Sequence, residues 1–171
     1  MDRREDKLPL AHWLYALAYS GMYKENDWQQ WAVLIAEDAP LRGDTEWVFD
    51  TVLAGGLPDL LAILAERMQA EYYSGYPLTD IICGYYYHRY RQGEISLREL
   101  LDKSGEAADS AGGSADCEFF YGLLNALESD ASAAHSPEFT QTITHFFEPL
   151  CAAALQQKAS FESATAKNLI S

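Results

Sequence analysis

Residues 79–103, TDIICGYYYHRYRQGEISLRELLDK, contain two consecutive helix signals. Thr79 is expected to cap the first helix, whose apolar and aromatic residues recur at helical spacing, and Gly93 is a typical terminator. Ser96 and Glu99 then form a capping box, in which each side chain accepts a hydrogen bond from the other residue's backbone N–H. The order helix, glycine, cap, helix predicts two neighbouring helices joined by a short turn.

The same order recurs between Leu10 and Ile35, where Gly21 separates an apolar helix from a second helix that Asp27 is expected to cap. Strand signals are weak, because no Asn-Gly or Asp-Gly hairpin turn and no alternating run of β-branched residues occurs. We therefore predict an all-α protein. Residues 1–171 are expected to form a single compact domain of about seven to nine helices, arranged as stacked helical hairpins or as an irregular bundle.

Two stretches are expected to lie outside this helical pattern. Residues 104–115 are rich in glycine, serine and alanine, which predicts a flexible loop, and the C-terminal tail is expected to fray. Pro149 is expected to kink or end a helix. Three cysteines spaced 34 residues apart match the tetratricopeptide period without that family's aromatic pattern, so a genuine repeat stays open. These cysteines are Cys83, Cys117 and Cys151.

The composition excludes several classes of protein. The chain has 171 residues, 12 Lys and Arg against 26 Asp and Glu, a net charge of −14 and 49% hydrophobic residues. It is too apolar to be disordered, and too acidic to neutralise nucleic-acid phosphates or to bind an anionic membrane. An odd number of cysteines does not build a disulfide framework, and no apolar run reaches the length of a membrane span. We expect a cytoplasmic protein.

No catalytic or metal-binding motif is present. The chain lacks a Gly-x-Ser-x-Gly elbow and a glycine-rich phosphate loop, and none of its four histidines pairs with a cysteine at zinc spacing. We predict no catalytic residues, no metal ligands and no cofactor, and hence a non-enzymatic protein. An enzyme whose chemistry leaves no motif is a third alternative, after the two binding functions below.

The negative charge is concentrated in two flanks. From Leu8 to Glu66 there are two basic residues and nine acidic ones, whereas from Arg67 to Lys103 there are five of each. From Ser104 to Gln157 there are eight acidic residues and no Lys or Arg. Clustered acids steer and capture a basic partner, whereas scattered acids only keep the surface solvated. The expected partner-binding acids are Asp44, Glu46, Asp50, Asp59, Glu106, Asp109, Asp116 and Glu118.

The segment Tyr85–Arg91, YYYHRYR, is the most unusual local feature. On a helix Tyr86 and Tyr90 share one face, and Tyr87 and Arg91 share another. Tyrosine and arginine are common at binding hot spots, which makes these four residues candidate partner contacts. The alternative is a core helix whose tyrosines bury their rings and expose their hydroxyls.

The chain resembles bacterial immunity proteins, the cytoplasmic antidotes of toxin systems that include contact-dependent growth inhibition. The residues that carry the resemblance are His12–Leu17 (HWLYAL), Asp27–Ala32 (DWQQWA) and the acidic flanks. The resemblance implies a one-to-one complex with a cognate toxin domain, often a basic nuclease, whose active site or an adjacent surface is occluded. The alternative is a helical adaptor or chaperone that holds a peptide in an aromatic groove near Tyr85–Tyr90.

Overall fold

The structure, a computed structural model, describes residues 7–38 and 45–170, without the side chains of residues 38 and 167–170. Within these residues it contains eight α-helices, one short 3-10 helix at Ala131–His135 and no strand. The prediction of an all-α fold with seven to nine helices is confirmed. The helices are α1 (Leu10–Tyr19), α2 (Glu25–Asp38), α3 (Glu46–Leu53), α4 (Leu57–Met68), α5 (Leu78–Arg91), α6 (Leu97–Ala111), α7 (Cys117–Ser129) and α8 (Pro137–Ile170).

By the packing of the backbone, the described chain divides into two compact units. Unit 1 comprises residues up to 75 together with those from 157 onward, and unit 2 comprises residues 76–156. The long helix α8 therefore contributes its first part to unit 2 and its last part to unit 1. The expectation of a single domain stays a prediction.

Unit 1 has a core of aliphatic side chains from α1 and α4, with Leu14, Leu17, Leu60 and Leu64 fully buried. Burial of each such side chain contributes roughly 1.5–3 kcal/mol to the driving force for folding. Phe161 of α8 completes this unit, because its ring is buried and lies 5.3 Å, centroid to centroid, from that of Trp31.

A buried carboxylate closes the first turn of α1. Glu71 accepts hydrogen bonds from the backbone N–H groups of Ala11 (2.9 Å) and His12 (3.1 Å), and it contacts the His12 ring nitrogen Nδ1 at 2.8 Å. A negative group at this position satisfies free N–H groups and favours the helix dipole. Tyr73 stacks on His12 at 4.7 Å, so the cluster ties the segment after α4 to the start of α1.

Unit 2 is organised around α5, in which every residue from Thr79 to Tyr87 is buried. Gly84 is required here, because a Cβ at this position would lie 2.3 Å from the backbone oxygen of Leu150 in α8. Asp80, also buried, accepts hydrogen bonds from the Ser114 backbone N–H (2.8 Å) and from the Ser114 hydroxyl. This contact fastens the connection between α6 and α7 to the start of α5.

The predicted flexible loop at 104–115 is wrong for most of its length, because α6 continues to Ala111. Its small residues form a packing face: Ser104, Ala107 and Ala108 recur at helical spacing and are buried. A Cβ on Gly105 would lie 2.5 Å from the Tyr121 ring, so glycine here admits a neighbouring aromatic side chain. Only residues 112–116 form the connection.

The predicted frayed tail is also helical, since α8 runs through to Ile170 and contains Pro149 in its interior. The 34-residue cysteine spacing is not a structural repeat. Cys83 lies in the middle of α5, Cys117 is the first residue of α7, and Cys151 lies inside α8, so the three positions are not equivalent.

The capping signals were predicted correctly at one helix and misplaced at two others. Ser96 and Glu99 form the expected capping box, with N···O distances of 2.8 and 3.1 Å. Asp27 lies in the first turn of α2 rather than before it, where its carboxylate accepts the Lys24 backbone N–H at 2.7 Å. Thr79 lies inside α5, which begins at Leu78.

Removal of the capping hydroxyl by Ser96→Ala is expected to lower the free energy of unfolding by about 1 kcal/mol. Backbone and side-chain hydrogen bonds from Ser96 lower the pKa of Glu99. A carboxyl group whose pKa is lowered by folding adds stability at pH values above its ordinary pKa. That added stability is lost as the pH falls through the lowered pKa. The difference in the free energy of unfolding between wild type and Ser96→Ala should therefore become smaller in acid. Urea denaturation at several pH values measures this difference. Ser163→Ala, at an exposed position inside α8, is the control and should raise stability slightly, by about 0.5 kcal/mol or less, because alanine has the higher helix propensity.

Candidate functional site

The charges of unit 2 are segregated along its helices. Lys and Arg occupy only four positions between residues 76 and 156, all of them between 89 and 103. The three arginines are already engaged within the unit. Their ion pairs are Arg89–Glu94 (3.0 Å), Arg91–Glu148 (2.9 Å) and Arg98–Glu128 (2.7 Å).

Helices α6 and α7 run in opposite directions, because Arg98 meets Glu128 near one end while Gly105 meets Tyr121 further along. Five exposed acids lie along α6 and at the start of α7, and we name them the acidic face. Among the described residues none of the five forms an ion pair, and Lys103 is the one basic side chain between them on α6. The acidic face consists of Asp102, Glu106, Asp109, Asp116 and Glu118.

Three carboxylates of this face act electrostatically on the hydroxyl of Tyr121. The pKa of Tyr121 is raised first by removal of the ring from water and then by the charges of Asp109, Glu106 and Asp102. Burial and then the charge of Asp109 likewise raise the pKa of Cys117. The charges of Asp102, Glu106, Asp109 and Asp116 therefore act on one region, where α6 packs against the start of α7.

Two of the predicted partner acids also stabilise the start of a helix through side-chain hydrogen bonds. Asp116 is the N-cap of α7, where it accepts the Phe119 backbone N–H at 3.1 Å. Asp59 accepts the Gly55 backbone N–H at 3.1 Å and so closes the turn between α3 and α4. Substitutions at these two positions would change the fold as well as the surface charge.

Two of the remaining predicted acids belong to unit 1. Glu46 and Asp50 are exposed and lie one turn apart on α3, while Asp44 lies outside the described residues. Leu53, at the end of the same helix, is 81% exposed. The two predicted acidic sets thus lie in different units.

The aromatic candidates divide between the core and the surface. Tyr86 and Tyr87 are each only 5% exposed, and the Tyr87 ring stacks on Phe147 at 5.4 Å. Tyr90 is half-buried and Arg91 is exposed, and both line a groove of about 400 Å³ together with Tyr87. The core interpretation therefore holds for the whole YYY triplet, and surface remains for a partner at Tyr90 and Arg91.

A second groove, of about 620 Å³, was missed from the sequence. We name it the phenylalanine groove, because Phe119 of α7 and Phe146 of α8 line it with ring centroids 4.8 Å apart. Each is followed by a second phenylalanine, Phe120 or Phe147, that is buried. Neighbouring helical residues point in different directions, so one ring of each pair enters the core and the other faces the groove. The two Phe-Phe pairs were the available signal.

Convergence of the acids can be measured without any partner. Neutralising two of them with Glu106→Gln and Asp109→Asn is expected to lower the pKa of Tyr121 toward its ordinary value of about 10, because like charges disfavour the phenolate. Because the folded protein holds the Tyr121 proton more tightly than the unfolded chain does, the wild type loses stability as the pH rises through the raised pKa. The double variant, whose Tyr121 pKa is lower, should therefore lose less stability at alkaline pH. NMR titration of the Tyr121 ring gives the result. Glu128→Gln, at the opposite end of α7, is the control, and an unchanged pKa in the double variant would contradict the convergence.

In the described part of the chain no three His, Cys, Asp or Glu side chains are grouped to hold a metal ion. None of the helices described is both long and apolar enough to cross a lipid bilayer. All three cysteines are free, and burial raises the pKa of Cys83 to about 12, so it is a neutral thiol at pH 7.

No protein-family model, no curated protein and no solved structure matches this chain.

Proposed function

We propose that this is a non-enzymatic binding protein, an immunity protein of a bacterial toxin system that acts in the cytoplasm. It would form a one-to-one complex with a cognate toxin domain and neutralise it by covering the active site or an adjacent surface. The observation that carries the proposal is the acidic face, five exposed carboxylates along α6 and the start of α7 that form no ion pair with another described residue.

The chemistry of such a face suits a basic target. A nuclease-type toxin carries Lys and Arg where it binds phosphates, and carboxylates can occupy those positions as anions of similar hydrogen-bonding geometry. Complementary fields also accelerate the encounter, to about 10⁸ M⁻¹s⁻¹ or more at low salt. Arg89, Arg91 and Arg98 are held by other carboxylates, so Lys103 is the one basic residue of unit 2 left to offset part of the acidic face.

The test is binding to the protein encoded immediately upstream, since toxin and antidote genes are expected to be neighbours. We expect a one-to-one complex with a nanomolar Kd, association that slows as salt increases, and protection of cells that express the upstream protein. Calorimetry, stopped-flow association and a growth assay supply the three readouts. Absence of both binding and protection would refute the proposal.

A second candidate function is a helical adaptor or chaperone that binds a peptide beside α5. It is favoured by the groove of about 400 Å³ in which Tyr87, Tyr90 and Arg91 lie together. An aromatic groove of this kind accepts many sequences weakly, and the binding depends little on salt. A panel of unrelated peptides bound with similar micromolar affinity would support this candidate over the immunity function.

A further inference from the structure

We propose that the phenylalanine groove is the anchor site of the toxin interface, where it takes a bulky apolar side chain of the partner flanked by Lys or Arg. The inference rests on the proposed function and names the chemistry that the partner must offer. Protein interfaces are commonly held by one or two large side chains inserted into a pocket, surrounded by polar contacts of smaller effect.

The shape of the groove suits such a side chain. Its volume of about 620 Å³ lies in the range of small-ligand pockets, and half-buried Phe119 and Phe146 present apolar ring surface in it. The exposed side chains of Gln141, Thr142 and His145 also line it. An aromatic or long aliphatic group would therefore displace water from the rings, while its backbone could meet polar side chains.

The surrounding charge decides what kind of segment carries that group. Asp116 and Glu118, both exposed, lie between the lining residues Ser114 and Phe119 in the chain. Glu138 lies one turn before Thr142. The Thr142 hydroxyl donates a hydrogen bond to the backbone carbonyl of Glu138 at 2.9 Å. Because residues 104–157 contain no Lys or Arg, an anionic occupant such as a fatty acid would be repelled, and a cationic one attracted.

One wall of the groove is fixed before any partner arrives. Ser114 is held by the buried carboxylate of Asp80, and a Cβ on Gly113 would lie 2.8 Å from the same carboxylate. The Asp116 N-cap then fixes the first turn of α7. Binding to a fixed wall avoids the cost of ordering a mobile loop, which favours a specific anchor.

The test uses four labelled peptides that combine a central Trp or Ala with flanking Lys or Glu residues, measured by fluorescence anisotropy. The Lys–Trp peptide should bind tightest, with about tenfold loss on Trp→Ala and a larger loss with Glu flanks. Thr142→Trp should fill the groove and weaken the Lys–Trp peptide about tenfold. Thr144→Trp is the matched control, because Thr144 is an exposed threonine on the same helix that lines the other groove.

A second variant, Glu118→Gln with Glu138→Gln, changes only exposed charges and should weaken the Lys–Trp peptide severalfold while leaving the fold intact. Undiminished binding to Thr142→Trp, or loss only in Thr144→Trp, would overturn the inference. If the upstream protein binds wild type and Thr142→Trp equally well, the immunity function stands and the anchor site fails. If the upstream protein does not bind but the peptide results hold, the immunity function fails and the groove stands.

Discussion

Gly84→Ala is expected to lower the free energy of unfolding by about 3 kcal/mol, at the upper end of the effect of overpacking a core. The added Cβ would lie 2.3 Å from the oxygen and 2.6 Å from the carbonyl carbon of Leu150, and 2.9 Å from the nitrogen of Cys151. All three atoms belong to the backbone of α8, so no side-chain rotation can relieve the clash. The two helices must move apart, which opens the core around Tyr85 and Phe147.

The matched control is Gly122→Ala in α7, where an added Cβ meets nothing within 4 Å. Alanine is favoured over glycine in a helix interior, so this variant should gain about 0.5–1 kcal/mol. Urea denaturation of both variants, followed by circular dichroism, measures the difference. Equal stabilities would show that α5 and α8 do not approach at Gly84.

Charge reversal on the acidic face, Glu106→Lys with Asp109→Lys, is expected to weaken the toxin complex about 100-fold, or roughly 2.7 kcal/mol. Two attractive contacts with Lys or Arg of the partner become repulsive, and like charges across an interface cost several kcal/mol. Slower association should account for part of the loss of affinity. That part should become smaller at high salt, which screens the charges. Both side chains are exposed, so the stability of the free protein should change little.

The control for this prediction is Glu46→Lys with Asp50→Lys on α3. It changes the net charge by the same amount and also reverses two exposed acids on one helix face. Binding by the acidic face predicts a large loss only for the α6 pair. Equal losses would mean that net charge alone drives association, and two unaffected complexes would refute the electrostatic part of the proposal.

Local sequence patterns were sufficient to predict that the fold is helical and where some of its helices begin and end. The Ser96–Glu99 box and the glycine stops at Gly21 and Gly93 depend on backbone groups within a few residues, so they are visible in the sequence. The error at residues 104–111 has a different origin. The small residues there predict a loop by composition alone, whereas in the structure they are helical and Gly105 leaves room for a distant residue, Tyr121.

The candidate site was predictable in charge but not in arrangement. The absence of Lys and Arg from residues 104–157 was visible at once, whereas convergence on Tyr121 required the antiparallel packing of α6 and α7. Periodicity could not settle the YYY triplet, because α5 is enclosed on every side from Thr79 to Tyr87 and therefore shows no polar face. Nor could it pair Phe119 with Phe146, which lie on separate helices.

The return of α8 to unit 1 has a consequence for biosynthesis. Residues 76–156 are contiguous, so unit 2 can assemble through contacts of short sequence separation while the chain is still being made. In unit 1 the side chains that α1 and α4 bury can also pack early. The unit stays incomplete until the end of α8 is made, because Phe161 must reach Trp31 and Gln157 donates a hydrogen bond to the Tyr73 hydroxyl 84 positions away. Closing so long a loop costs more entropy than closing a short one. The helices of unit 1 that are made first are thus expected to complete their native core last.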